Sequence, residues 1–200
     1  LTNVFESLPS PGVALLVAPA GSGKSVLMSD WVDDREACWV ALTATHNDPT
    51  RLAADLTEAL HRSHPSFDTA VARLVAPGGE RLGDLFLDAV TAELRDMGEP
   101  VLLVLDDLHH VSDPPVLGDL SRLLRELPDT VQAVVSSRWD LPLGLGQMRL
   151  EGSMLELRSA DLAFDPFQAI AALLLGAHSH TCTLPPYGIY CQAIGCRAGQ

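Results

Sequence analysis

Lys24 is the only lysine among the 200 residues, and Ser25 follows it at the end of a loop reading Ala18-Pro19-Ala20-Gly21-Ser22-Gly23. A glycine-rich loop of this kind can turn its backbone N–H groups around a polyphosphate. A helix beginning at Lys24-Ser25 adds partial positive charge at its N-terminus. Lys24 can then reach the β- and γ-phosphates, and the Ser25 hydroxyl can ligate Mg²⁺. Much further along, Asp106-Asp107 closes an apolar run and Arg138 closes another. Cleavage of a terminal phosphate needs cradled phosphates, a bridging metal, an aimed water and cations to meet developing charge. In that scheme Asp106 completes the Mg²⁺ shell, usually through water. Asp107 orients or deprotonates the attacking water, and Arg138 senses the γ-phosphate. The competing reading is a Gly/Ser turn that binds nothing, a polar strand end and a solvated arginine.

These residues do chemistry only if the right elements hold them. Val13–Val17 reads as a buried strand, and Leu27, Met28, Trp31 and Val32 give the following helix an inward face. Strand, loop and helix in that order are the context a phosphate loop requires. Its first position departs from the usual pattern, being Ala18 where glycine is expected. A methyl is tolerated there if φ stays negative. Residues 37–42 are a second strand candidate. Asp48-Pro49 and Asp113-Pro114 are helix starts, with Asp as N-cap and Pro at the first helical position. A further helix is predicted from Glu80 to Met97, ended by Gly98 and lined by Leu82, Phe86, Ala89, Val90 and Leu94. Val101–Leu105 is apolar throughout, as a strand covered on both faces must be. Val131–Val135 and a short Leu155–Leu157 complete the strands, and Asp165-Pro166 opens a last helix. The alternation predicts an α/β fold, a three-layer arrangement with a mainly parallel sheet flanked by helices.

The balance of 13 Lys and Arg against 26 Asp and Glu gives a formal net charge of −13. Such a surface repels nucleic-acid phosphates, so these residues alone are not expected to hold DNA. A nucleotide is different, because local N–H dipoles, Lys24 and a metal meet its phosphates. No apolar run reaches the roughly 18 residues of a membrane span, and no basic-then-apolar leader stands at Leu1. The expected location is the cytoplasm. Cys38, in a strand candidate, reads as a small core residue. His61 and His64, three apart near a helix end, read as solvated charge compensation, because no carboxylate or cysteine completes a ligand set.

Together, Ala18-Pro19-Ala20-Gly21-x-Gly23-Lys24-Ser25, Leu105-Asp106-Asp107-Leu108-His109 and Ser137-Arg138-x-x-x-Pro142-Leu143 resemble the signalling (STAND) P-loop ATPases. More narrowly, they resemble the N-terminal nucleotide-binding domain of MalT-like regulators of the LuxR family. Leu157-Arg158-Ser159-Ala160-Asp161-Leu162 is similar to the segment after the sensor strand in those proteins. The resemblance implies a AAA+-like P-loop NTPase sheet in which the Arg138 strand lies between the phosphate-loop strand and the Asp106 strand. It also implies that Ala18 to Ser25 bind ATP with Mg²⁺ on Ser25 and Asp106, and that slow hydrolysis uses Lys24, Asp107 and Arg138. The family's ATP form self-assembles, and its contact with DNA runs through a C-terminal domain not present in these residues. On this reading residues 1–11 are a lead-in, 12–164 the nucleotide-binding domain and 165–175 the start of a helical region. Residues 176–200 form an atypical tail with no acidic residue and with Cys182, Cys191 and Cys196. The tail is expected to be poorly packed, its cysteines lacking the paired spacing of a zinc site, and the change of character suggests truncation or a frameshift near Leu175. Two other readings stand beside the switch: a free-standing ATPase doing mechanical or transport work, and a fragment without activity.

Overall fold

The computed structural model describes residues 12–32 and 35–162. The lead-in, the helix expected at Asp165-Pro166 and the cysteine-bearing tail lie outside them. Five strands, β1 (Gly12–Val17), β2 (Ala37–Ala41), β3 (Val101–Asp106), β4 (Val131–Ser137) and β5 (Met154–Arg158), form one sheet in the order β2-β3-β4-β1-β5. Every pairing is parallel, so the sheet is all-parallel among the described residues. β4 therefore lies between β3 and β1, hydrogen-bonded to both. All five carboxyl ends share one edge, where α/β sheets gather ligand-binding loops.

The strands are apolar at successive positions because both faces are covered. Val13, Leu15, Cys38, Val40, Leu103, Leu105, Ala133 and Val135 point to one face. There they meet α2 (Pro49–Ser63), α3 (Asp84–Met97) and α4 (Pro114–Arg125) through Leu52, Leu56, Phe86, Val90, Leu120 and Leu124. The alternate residues Ala14, Leu16, Leu102, Val104 and Val134 meet Met28 and Trp31 of α1 (Lys24–Val32) on the other face. Three layers result. Leu27 and Val32, expected inward, are only partly buried beside that second cluster. Cys38 is fully buried, and burial pushes its thiol pKa up to about 11, so it is a core residue.

Asp48 caps α2 by accepting from Thr50 N–H at 2.9 Å, and Pro49 takes the first helical position. Asp113 and Pro114 stand likewise at the start of α4, although Asp113 makes no side-chain cap bond. Gly98 ends α3 in the left-handed region at φ 65°. The start of α3 differs from the sequence expectation: the helix begins at Asp84, not Glu80. Gly83, at φ 84°, cannot continue a helix backward, and its N–H donates to the buried Asp119 carboxylate at 3.0 Å. Arg81 donates to the same carboxylate at 2.6 Å, so residues 81–83 are an anchored turn. A short helix α5 (Gly146–Glu151) and a single turn α6 (Ser159–Leu162) flank β5. Of the histidines near the end of α2, His61 is exposed as expected and His64 departs from expectation. His64 is buried, with Nδ1 3.6 Å from Cys38 Sγ and Nε2 3.3 Å from the Pro100 carbonyl oxygen, and His61 Nδ1 donates to the Phe67 carbonyl at 2.8 Å. They fasten the helix end to neighbouring backbone.

Candidate functional site

The loop from Ala18 to Gly23 leaves the carboxyl end of β1 and hangs on β4, where the Ser137 carbonyl accepts from Ala18 N–H at 3.1 Å. Ala18 is buried and is not among the positive-φ residues, which explains why a methyl is admitted. Gly21 and Gly23 are the positions that need glycine, at φ 77° and 83°. A Cβ built on either meets no atom within 4 Å, so both open onto free space where a ligand can approach the backbone. Ser22 closes the turn, with N–H and Oγ both donating to the Pro19 carbonyl, Oγ at 2.8 Å. Lys24 begins α1 and folds back, its ammonium donating to the carbonyls of Ala18 at 2.6 Å and Pro19 at 3.0 Å. Burial lowers its pKa, Asp107 and Asp106 pull it back up, and Arg138 lowers it further. Four residues from three separate stretches of sequence therefore share one electrostatic neighbourhood.

Ser25 Oγ donates to Asp106 Oδ2 at 3.3 Å, bridging the start of α1 and the end of β3. Asp106 is 8% exposed. Burial raises its pKa; the Ser136 hydroxyl opposes this, Asp107 adds to it, and Ser25 with the Asp107 backbone opposes it again. A carboxylate held at such a cost beside a serine hydroxyl has the chemistry of a hard-cation site. Loop amides, ammonium, hydroxyl and buried carboxylate thus fit a magnesium polyphosphate. Asp107 follows in a left-handed conformation, φ 58° and ψ 40°, and no other non-glycine residue among those described has positive φ. Strain of this kind is held only where surrounding structure enforces it, and it concentrates at functional positions. Arg138 is exposed just beyond β4, near enough for its charge to act on Lys24 and His109.

Sequence reasoning missed two residues that hold this arrangement. Ser136, fully buried on β4, donates to Asp106 Oδ1 and accepts from Asp107 N–H at 2.9 Å. One hydroxyl thereby fixes both acidic residues. Asn47 clasps the segment after Asp107: its amide donates to the His110 carbonyl at 3.0 Å, and its oxygen accepts from Ser112 and Asp113 N–H, each at 2.8 Å. Neither carries a local signal, because each acts across more than 25 residues of chain, bridging separations of 29, 30 and 63 to 66 positions.

Residues 9–138 match a family model described as an AAA domain. Over 166 residues, 82% of this chain, the sequence is 29% identical to the HTH-type transcriptional regulator MalT of Vibrio parahaemolyticus, of which it covers 18%. Over 178 residues, 86% of the chain, it is 26% identical to the serine/threonine-protein kinase PknK of Mycobacterium tuberculosis, covering 16% of that protein. The chain thus spans less than a fifth of the length of these curated relatives. Its fold is similar to that of a signal transduction ATPase with numerous domains (STAND) protein with a tetratricopeptide repeat sensor from Pyrococcus horikoshii. There the TM-score is 0.57 at 15% identity, over 85% of this chain and 24% of that one.

Proposed function

This chain belongs to the AAA domain family, and from that premise we propose that it is an ATP-binding switch module of a longer regulatory protein, with slow hydrolysis resetting the switch. The observation that carries the reading is the 3.3 Å contact between Ser25 Oγ and Asp106 Oδ2, which joins the start of α1 to the carboxyl end of β3. Ala18, Pro19, Ala20, Gly21, Ser22 and Gly23 provide the cradle, and their amides with the α1 N-terminus receive the phosphates. Lys24 exchanges the Ala18 and Pro19 carbonyls for β- and γ-phosphate oxygens. Ser25 and Asp106 would hold a Mg²⁺ ion, which would supply charge neutralisation at the phosphates. Asp107 orients the attacking water and takes its proton, and Arg138 senses the γ-phosphate. The regulatory role is supported by similarity to MalT, a transcriptional regulator by name, and to a STAND ATPase fold. Self-association of the ATP form belongs to the same proposal. So does contact with DNA through a separate domain, since a net charge of −13 disfavours contact through this one.

Thermal unfolding with and without Mg·ATP tests the reading. A ligand that binds only the native state at a hundred times its Kd stabilises by about 2.7 kcal/mol, a shift of several degrees. Lys24→Ala is expected to cost about 1.5–3 kcal/mol of nucleotide affinity, the range for hydrogen bonds to charged groups. Asp107→Asn is expected to keep binding and lose hydrolysis. Unchanged ATP affinity in a folded Lys24→Ala variant would end the assignment.

A further inference from the structure

His109 lies on the one-turn 3-10 segment Leu108–His110 that follows Asp107. Its side chain is 2% exposed, yet among the described residues neither ring nitrogen has a hydrogen-bond partner. Burying a polar group without a partner costs about 1–3 kcal/mol, so an orphan of this kind calls for an explanation. Three contacts of the ring, with Asp107, His110 and Trp139, lie at the candidate site or its rim. Nδ1 is 3.6 Å from Asp107 Oδ1, a few tenths of an ångström beyond a hydrogen bond. The ring meets Trp139 edge-on, centroids 5.0 Å apart at 71°, and His110 lies 4.2 Å away on the other contact. Trp139 directly follows Arg138, so the imidazole, carried by the loop after β3, packs against the loop after β4.

An ionised carboxylate only accepts hydrogen bonds. With the Nδ1 lone pair facing it, two acceptors would repel across 3.6 Å, whereas Nδ1–H is attracted. Burial lowers the imidazole pKa, Asp107 raises it, and His110, Arg138 and Lys24 lower it, which favours the neutral ring with a single N–H.

We propose that His109 is a positioning residue for Asp107, its Nδ1–H closing onto the carboxylate and aiming it at the attacking water while Trp139 holds the ring in place. This role rests on the ATPase reading above, but the hydrogen bond itself does not. In the 200-residue chain, ¹⁵N resonances of the His109 ring are expected to report the Nδ1-protonated tautomer, and Asp107→Asn to perturb them. The Nε2-protonated tautomer, or a ring insensitive to Asp107→Asn, overturns the proposal whether or not nucleotide binds. His109→Leu keeps bulk without a donor, and His109→Asn sets an amide N–H near the Nδ1 position. His109→Leu is expected to bind Mg·ATP within about twofold of wild type and to hydrolyse it about ten- to a hundredfold more slowly, the cost of a misaligned reacting group. His109→Asn should recover most of that rate. Equal rates in wild type and His109→Leu, or equal loss in both variants, overturn the role. If wild type binds no nucleotide, the switch reading fails, and the tautomer still decides the contact.

Discussion

Asp106 sits where folding disfavours the charged form of its side chain. Its pKa is raised chiefly by burial, so its contribution to stability is full below the unfolded carboxylate value and is lost as pH rises through the folded one. Its ionised form therefore opposes folding, and a bound cation would offset that cost. Asp106→Asn removes the charge while keeping the contacts: Ser136 still donates to the amide oxygen, and Ser25 Oγ can accept from the amide nitrogen. The variant is expected to melt higher than wild type at pH 7 without nucleotide. It should also gain less on acidification and lose the Mg²⁺-dependent increment with ATP, a trade of function for stability. A lower melting temperature at pH 7 without nucleotide would mean that the carboxylate is structural. Asp106 was legible because an apolar run ending in two acids is a local pattern. Ser136 was not. Its hold on both acids exists only because β4 inserts between β3 and β1.

Elements were readable to the extent that one face decided them. β3 and β1 are buried on both sides and show as unbroken apolar runs, and α2 and α4 announce themselves by Asp-Pro and a 3.6-residue period. The start of α3 was misread because Leu82 keeps that period with Phe86. Only the distant Asp119 carboxylate reveals that residues 81–83 are a turn. The loop after β3 was likewise opaque, since its order depends on Asn47, a residue before α2. Asn47→Ala removes that clasp and exposes the Ser112 and Asp113 amides. We expect a loss of about 1–3 kcal/mol, as for a group of hydrogen bonds left unmade. Amide hydrogen exchange should quicken across residues 108–113 first, because local opening follows the weakest-held segment. Exchange there matching wild type would show that Leu108 and Val111, both fully buried, suffice to hold the loop.

At the scale of the molecule, a switch requires the two nucleotide states to be bound with different affinity, because a ligand shifts an equilibrium only by its differential affinity for the two forms. ATP and ADP differ by one phosphate, so discrimination must come from groups at the γ position. Local pattern alone could not place the Arg138 strand between β3 and β1, since strand order is set by non-local pairing; the family resemblance implied that order, and the sheet has it. β4 is hydrogen-bonded to β1 through Gly12–Val17 and to β3 through Val101–Leu105. Its carboxyl end is hydrogen-bonded both to the loop after β1, through Ser137 and Ala18, and to the acidic pair, through Ser136. Arg138→Ala is expected to weaken ATP relative to ADP by about two- to fivefold, the factor of an exposed charge pair worth up to about 1 kcal/mol. The ratio, measured by competition calorimetry at fixed salt, is more telling than either affinity, because loss of general positive charge would weaken both nucleotides together. A ratio equal to that of wild type would remove Arg138 from the switch and leave it a solvated strand end.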